Sequence, residues 1–513
     1  MTKALKIDSS AVGLYMAKEQ SINVLPATPV WQQLEPSEIG DIGGETTQTS
    51  RTIIRPDRQN NRGAITDLSA SADFTQELSQ NNANELFQGF CFAKAHEQFT
   101  TKPLNVGDPT TTVSCSTDTY TLTDTTFDTS SITAGTLIKA SGFTVASNNG
   151  LKVVDSVADN VITITSAGGV TTEDAGDGVL EVVGKTVSAT ITISGKVKLG
   201  FTDADDLGLE LGQWVFVGGD TNKFANNDPF YARIGAIESD GLILDFTTNA
   251  TELTAESETT IDLFYGMTIH NEKDIDKIKR TTYTIEERLG FADQENTIPQ
   301  ASYVSGCVPS EMTITVENSA LSKIQYQFTG CRFYTKKGTL ATGTRLDAWD
   351  EKGYNNANEV YLACLSTVSN DPEKTAPSEL FAFMTSGNIT INNNTNENKA
   401  VGCLGAFDIS VGKFDVTANP NVYFTDADVI KSLKENIDVG MQIIMSRNNE
   451  GIAFDIPMMG MGSSIPSVSD GEPLMMDLTA NGAKSKYGYT FAMQNFHYLP
   501  NVAMASDMTG FSD

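Results

Sequence analysis

The sequence predicts a mainly β protein: a split β-sandwich or barrel domain with one or two helices, carrying an inserted all-β domain that contains two similar β-units. Three observations lead there. Apolar residues alternate with period two over most of the chain, helical patterns are few, and a middle segment rich in Thr, Ser, Gly and Asp holds an internal repeat.

Alternation of β-branched and aromatic residues marks half-buried strands. Met312, Ile314 and Val316 lie two apart, as do Ile324, Tyr326 and Phe328, and Tyr487, Tyr489, Phe491 and Met493 continue the pattern. Met441–Arg447 and Ile452–Met459 flank Asn448-Asn449-Glu450-Gly451, which predicts a hairpin with a four-residue loop. A helix is expected where Ala83, Leu86, Phe87 and Phe90 follow helical spacing, with Asn82 as its cap and Glu85 as the capping partner. A second is expected from about Asp426 to Asn436, with Thr425 and Asp428 as a capping box and Val429, Ile430 and Leu433 as its apolar stripe.

The repeat lies in 103–262. Gly135–Ile164 and Gly212–Leu244 each run from Gly through a short strand, a second Gly, an Asn-Asn pair (Asn148-Asn149 and Asn226-Asn227) and two more strands. The chain carries 35 Lys+Arg against 65 Asp+Glu, a net charge of −30. Within 103–262 there are 23 acids and 7 bases, so just over half the net charge sits on under a third of the residues. This shift in composition divides the chain into a first part of the main domain at 1–102, an inserted acidic, surface-exposed β domain at 103–262, and a second part of the main domain at 263–513.

Composition and motifs exclude several chemistries. An acidic field disfavours gripping DNA or an anionic membrane, because phosphate binding needs Lys and Arg. Met1–Gln20 has no apolar run or cleavage site of a signal peptide, and no stretch is long and apolar enough for a membrane span, so folding in a cytoplasm is expected. Six cysteines lie at least 24 positions apart with no CxxC, which reads as isolated buried thiols. The three histidines, His96, His270 and His497, are scattered, with neither HExxH nor helical ligand spacing. Gly184-Lys185-Thr186 resembles the end of a phosphate loop, but Gly178 lies one residue too early. Asp203–Gly208 imitates a calcium loop, but Leu207 and Trp214 stand where oxygen ligands are required. No catalytic residue, metal site, cofactor or enzyme activity is expected.

Against the acidic average stand Arg51, Arg55, Arg58 and Arg62, within twelve residues. No aromatic lies among them to stack bases. A basic loop on an acidic protein complements the protein's own surface and favours self-assembly. Met441, Met445, Met458, Met459, Met461, Met475 and Met476 crowd a short span and read as adaptable core filling.

Three stretches carry a family resemblance. They are SEIGDIGGETTQTSRTIIRPDRQNNRGAITDLSASADFTQEL with the ELFQGF helix after it, YTIEERL with YVSGCVPSEMTITVE, and VGCLGAFDISVGKFDVTANPNVYFTDADVIKSLKENI with the hairpin and terminal strand that follow. In this order they resemble the tail tube (major tail) proteins of long-tailed, non-contractile bacteriophages. The resemblance implies a structural virion protein in the phage tail, assembled in the host bacterial cytoplasm. It implies a homohexameric ring, rings stacked into a helical hollow tube, and passage of phage DNA through the lumen without adhesion. Its partners would be itself and other tail proteins (tape measure, terminator, tail tip), with no membrane binding. The stretch Arg51–Arg62 would reach the adjacent ring. A contractile tail sheath, a tail-tip component, or a tube protein whose insert also binds the host surface are the alternatives.

Overall fold

The computed structural model describes residues 12–505 except 55, 57–58, 60, 106–107, 166–168, 220–222, 249–252, 290–298, 350, 369–378, 382–383, 425–436, 463–470 and 472. Strands make up 56% of it, and one α-helix stands among the described residues. The expected mainly β architecture with a duplicated β-unit is what forms. No described helix is long and apolar enough to cross a membrane. Two compact units arise from interleaved stretches: one takes the chain up to Ala93 with Ile278–Tyr354 and Ser386–Asn419, the other Lys94–Lys277, Asn355–Thr385 and the chain from Pro420.

In the first unit the strand Gln300–Glu317 is the spine. Its first half pairs with Tyr283–Arg288 and Arg332–Lys337, its second half with Lys323–Gly330 and residues 386–392. The register shifts between Pro309 and Glu311, where Pro has no N–H to give the ladder. The alternation read from the sequence points inward: Met312, Ile314, Ile324, Tyr326 and Phe328 are buried beside Ala72 and Phe74. The helix Asn84–Cys91 closes this core, with the Phe90 ring 5.7 Å from Tyr326 and 5.4 Å from Phe328. Its expected cap does not form. Ala83 is the N-cap and makes no side-chain cap bond. Asn82 instead accepts from the Ser79 N–H and donates to the Glu77 carbonyl, and Glu85 pairs with Lys18 at 3.0 Å. A local turn thus outcompetes the cap for the same amide.

Two further expectations change. The hairpin Asp438–Arg447 with Glu450–Met461 turns on two residues rather than four, because Asn448 and Asn449 both take positive φ, 49° and 64°. That is the conformation a two-residue primed turn requires, and it extends each strand. Tyr487, Tyr489 and Phe491 precede the strand Ala492–Phe496 rather than belonging to one, since the backbone turns at Gly488. The second expected helix, with Thr425, Asp428, Val429, Ile430 and Leu433, lies outside the described residues. Of the six cysteines, five are buried and Cys403 is exposed; all are free.

In the second unit the repeat extends beyond the three strands visible in the sequence. Val179–Ile193, Val197–Gly200, Gly241–Thr247, Phe230–Glu238, Trp214–Gly218 and Glu256–Phe264 pair in that order, and the last returns to the first, closing a six-stranded barrel. A similar run of pairings precedes it. Val113–Ser116 pairs with Thr119–Leu122, then Val161–Ile164, Gly150–Ala158 and Thr136–Ser141 follow. Glu173–Gly176 on Val113–Ser116 and the first half of Val179–Ile193 on Thr136–Ser141 are its two ends, so this first barrel stays open. Val179–Ile193 therefore ends the open first barrel and begins the closed second one. Gly135 and Gly212 open equivalent strands at φ 82° and 84°, a conformation that excludes most side chains.

The Asn pairs have one physical task in both copies. Glu256 accepts from the amide N–H groups of Ala225 and Asn226 and from the Asn227 side-chain amide, at 3.3, 3.0 and 3.0 Å. Glu173 accepts from Thr144, Val145 and the Asn148 amide, at 2.7, 3.2 and 2.8 Å. Each carboxylate ties the loop after the first repeat strand to the last strand of its barrel. Glu256→Ala leaves these donors unpaired around a buried site and should cost about 2–3 kcal/mol in chemical denaturation. Glu173→Ala, at a more exposed site, should cost less, and equal losses would argue against the burial difference.

The second barrel does not bury all its apolar surface internally. Trp214, Phe216, Tyr231 and Phe264 form one core with Cys364, Ile444, Ala453, Phe496 and Leu499. At the edge of that core Arg233, 1% exposed, donates from Nε to Asp245 at 2.9 Å and from Nη1 to both oxygens of Asp455 at 3.0 and 3.1 Å. Its guanidinium also lies over the Trp214 and Tyr487 rings. Residues 103–262 are thereby joined to the C-terminal hairpin by apolar burial and a buried ion network.

Candidate assembly surface

The arginine stretch is the tip of a long ribbon. Gly43–Arg51 and Asn61–Glu77 pair from Gly43↔Ser71 to Arg51↔Asn61. At the base, Ala70, Ala72, Phe74 and Gln76 alternate inward and are buried. Further out the alternation stops: residues 45–51 are all exposed, and most of 61–67 is exposed as well. This part reads as Thr, Gln, Ser and Gly, with no apolar face to bury, so it extends from the sheet as a solvated two-stranded arm. Nine residues at about 3.3 Å each give it a reach of roughly 30 Å. Thr49 and Thr66 bridge the strands through their hydroxyls at 2.8 Å, and the Gln48 side chain donates to the Gly63 carbonyl.

Arg51 and Arg62 stand on opposite strands at the end of this arm, both exposed; Arg55 and Arg58 lie outside the described residues. Beside them Ile53 is 45% and Ile54 fully exposed. Arg51 and Arg62, with the solvated Ile53 and Ile54, give the arm a basic and apolar tip on an acidic chain. The arm's base is fastened to a second ribbon, Asn396–Lys399 with Ala406–Ser410. Lys399 donates to Asp67 at 2.6 Å, which holds the Asp67 carboxyl below the usual carboxylate range and raises the Lys399 ammonium. Ser69 donates to Glu397, and Arg280 donates to Asp408 and the Ile409 carbonyl. Burial pushes Asp408 up, but its bonds to Arg280 and the backbone outweigh this and hold it low.

The second ribbon carries an apolar feature that strand periodicity did not reveal. Val401, Leu404 and Phe407 are exposed, Val401 fully. They fall three apart, off the two-residue period of a strand, and the signal available was that spacing in a glycine-rich segment too short for a helix. Clustered apolar residues left in water mark surfaces that a partner covers.

Strand pairing, a solvated arm and uncovered apolar positions define a structural β protein made to associate. The family model of the phage tail tube protein matches residues 211–483, more than half of the chain. The chain belongs to the phage tail tube protein family. The match begins inside the second barrel and includes the C-terminal hairpin, the two parts that share the Trp214–Phe496 core. No curated protein matches the chain. Membership makes it a structural protein of the virion tail, with self-assembly and other tail proteins as its general context.

Proposed function

We propose that this chain builds the hollow tube of a long, non-contractile phage tail. Subunits close into hexameric rings, and the rings stack into a helical tube through which genomic DNA passes. The observation that carries this reading is the solvated arm whose end bears Arg51 and Arg62; Arg55 and Arg58 lie between them in the sequence. A reach of roughly 30 Å suits contact with the next ring, and its charge complements an acidic body. Stacking identical surfaces head to tail along an axis yields a filament. The role is non-enzymatic, and needs no cofactor.

The charge suits a conduit. An acidic wall repels phosphates, so DNA slides without adhering. The distribution limits that effect: 103–262 holds −16 of the net −30, and this proposal places that segment outward as an inserted domain between 1–102 and 263–513. The lumen then draws on the remaining −14.

Electron microscopy of the purified chain, alone and with tail-initiating proteins, should show tubes with a central lumen. A population that stays monomeric under both conditions would overturn the proposal, and a polymer found only around a separate inner tube would identify a sheath instead.

A further inference from the structure

Two of the three histidines, 174 positions apart, meet at one carboxylate. His96 Nδ1 lies 2.9 Å from Glu210 Oε1, and His270 Nε2 lies 3.2 Å from Glu210 Oε2. The imidazoles are parallel to within 9°, with centroids 4.8 Å apart, and Tyr489 stacks on the other face of His270. One ligand atom from each of the three residues falls within 4.8 Å of the others. The backbones are held in place: His96 and Thr268 exchange N–H···O bonds at 2.8 and 3.1 Å, and the Glu210 N–H donates to Gln213.

The outer nitrogens decide the chemistry. His96 Nε2 faces Glu272 Oε1 at 2.9 Å, and His270 Nδ1 faces the Asn271 carbonyl at 3.4 Å. Both partners are acceptors and face the ring nitrogens that point away from Glu210. The two inner nitrogens and the Glu210 carboxylate converge on one point, where a divalent cation would take all three at once. It also uses the outer arrangement as found, since ligating histidines donate their other N–H to a carboxylate or carbonyl that fixes the ring.

We propose that His96 Nδ1, His270 Nε2 and Glu210 bind one divalent first-row metal ion of the zinc class, with Glu272 orienting His96. Two imidazoles and a carboxylate suit zinc, cobalt or nickel rather than calcium or magnesium, which take oxygen ligands. Metal–ligand bonds of about 2.0–2.2 Å need donors a little over 3 Å apart, close to the two His–Glu210 separations of 2.9 and 3.2 Å. The three residues line a cleft of 260 Å³ together with Leu211, Lys273 and Tyr487, so an ion can reach them. The ion would tie together three stretches of the second unit that are remote in sequence. It goes beyond tube formation and does not depend on it.

The test is a calorimetric titration of the full chain, stripped with chelator, with Zn²⁺ at neutral pH. One saturable site per chain is expected, with no saturable Ca²⁺ site under the same conditions. Glu272→Ala keeps all three ligands and should weaken Zn²⁺ binding about 10–100-fold. His270→Gln should abolish the site. Because a ligand variant can fail to fold, Co²⁺ added to the unmodified chain supplies a second readout: visible absorption bands of a low-symmetry imidazole-ligated ion. Absence of a saturable Zn²⁺ site, absence of those bands, or a site that survives in a folded His96→Gln/His270→Gln chain would each overturn the assignment.

Discussion

Arg233→Met destabilises the second unit by about 3–5 kcal/mol, the loss expected when one partner of a buried ion network is removed. The arginine is 1% exposed and its carboxylate partner Asp455 is 1% exposed, so neither has water to fall back on. Asp245 keeps Lys486 and the Tyr487 hydroxyl, whereas Asp455 keeps a 3.4 Å bond from Gln442 and the Trp214 indole, both uncharged donors. The comparison variant is Arg233→Met with Asp455→Leu, which removes the stranded charge and should recover most of the loss. Urea denaturation of the three chains reads both effects; a loss below about 1 kcal/mol for Arg233→Met would show that the network is not a stability element. A pH dependence follows. Burial pushes the Asp455 carboxyl up, and Arg233 is the group that opposes this. Without it, the folded pKa of Asp455 stands further above its unfolded value. Such a group stabilises the fold below the unfolded pKa, and that contribution is lost as pH rises through the folded pKa. The deficit of Arg233→Met should therefore be smaller at about pH 4 than at about pH 7.

Replacing Arg51, Arg55, Arg58 and Arg62 together with Ala abolishes tube formation and leaves the thermal melt of the chain unchanged. The fold has no stake in these positions as described: Arg51 and Arg62 are exposed at the end of a ribbon with no buried face. The change removes four positive charges from a surface proposed to meet an acidic neighbour, so the loss falls on association. Tubes of the unmodified chain should likewise shorten or fail to form as salt rises towards 1 M, where the screening length falls to about 3 Å. Electron microscopy and light scattering measure both, and tubes of normal length from the quadruple variant would remove the arm from the assembly contact. Ile54→Asp is a sharper probe of the same tip, because it alters an exposed apolar residue whose only visible use is contact.

Much of the fold was legible because strand patterning is local. Met312–Val316 and Ile324–Phe328 alternate and form strands with their apolar sides buried as expected; that the two pair with each other is decided by the structure. The misreadings fell where two local solutions compete. Asn82 had the composition of a cap, yet its amide is used in a turn with Ser79 and Glu77. In the sequence the hairpin loop reads as four residues because Gly451 looks like a turn residue, whereas Asn448 and Asn449 both accept positive φ and make the tighter turn. The repeat was seen as three strands because only the Gly and Asn-Asn landmarks recur. Glu173 and Glu256, which complete each copy, lie 25 and 29 residues after the asparagines they hold. The arm is legible as a basic stretch but not as a ribbon, and the exposed Val401, Leu404 and Phe407 fall three apart, off the two-residue period of a strand.

By itself, then, the sequence determined the β class, the acidic duplicated segment, the basic loop and the absence of recognisable catalytic motifs, because each depends on residues close together in the chain. Only the tertiary structure decided what requires distant residues to meet. It joined the second barrel to the C-terminal hairpin through Trp214, Arg233 and Asp455, and brought His96 and His270 to Glu210. Such meetings are set by strand pairing and burial over separations of sixty residues or more, and no local spacing encodes them.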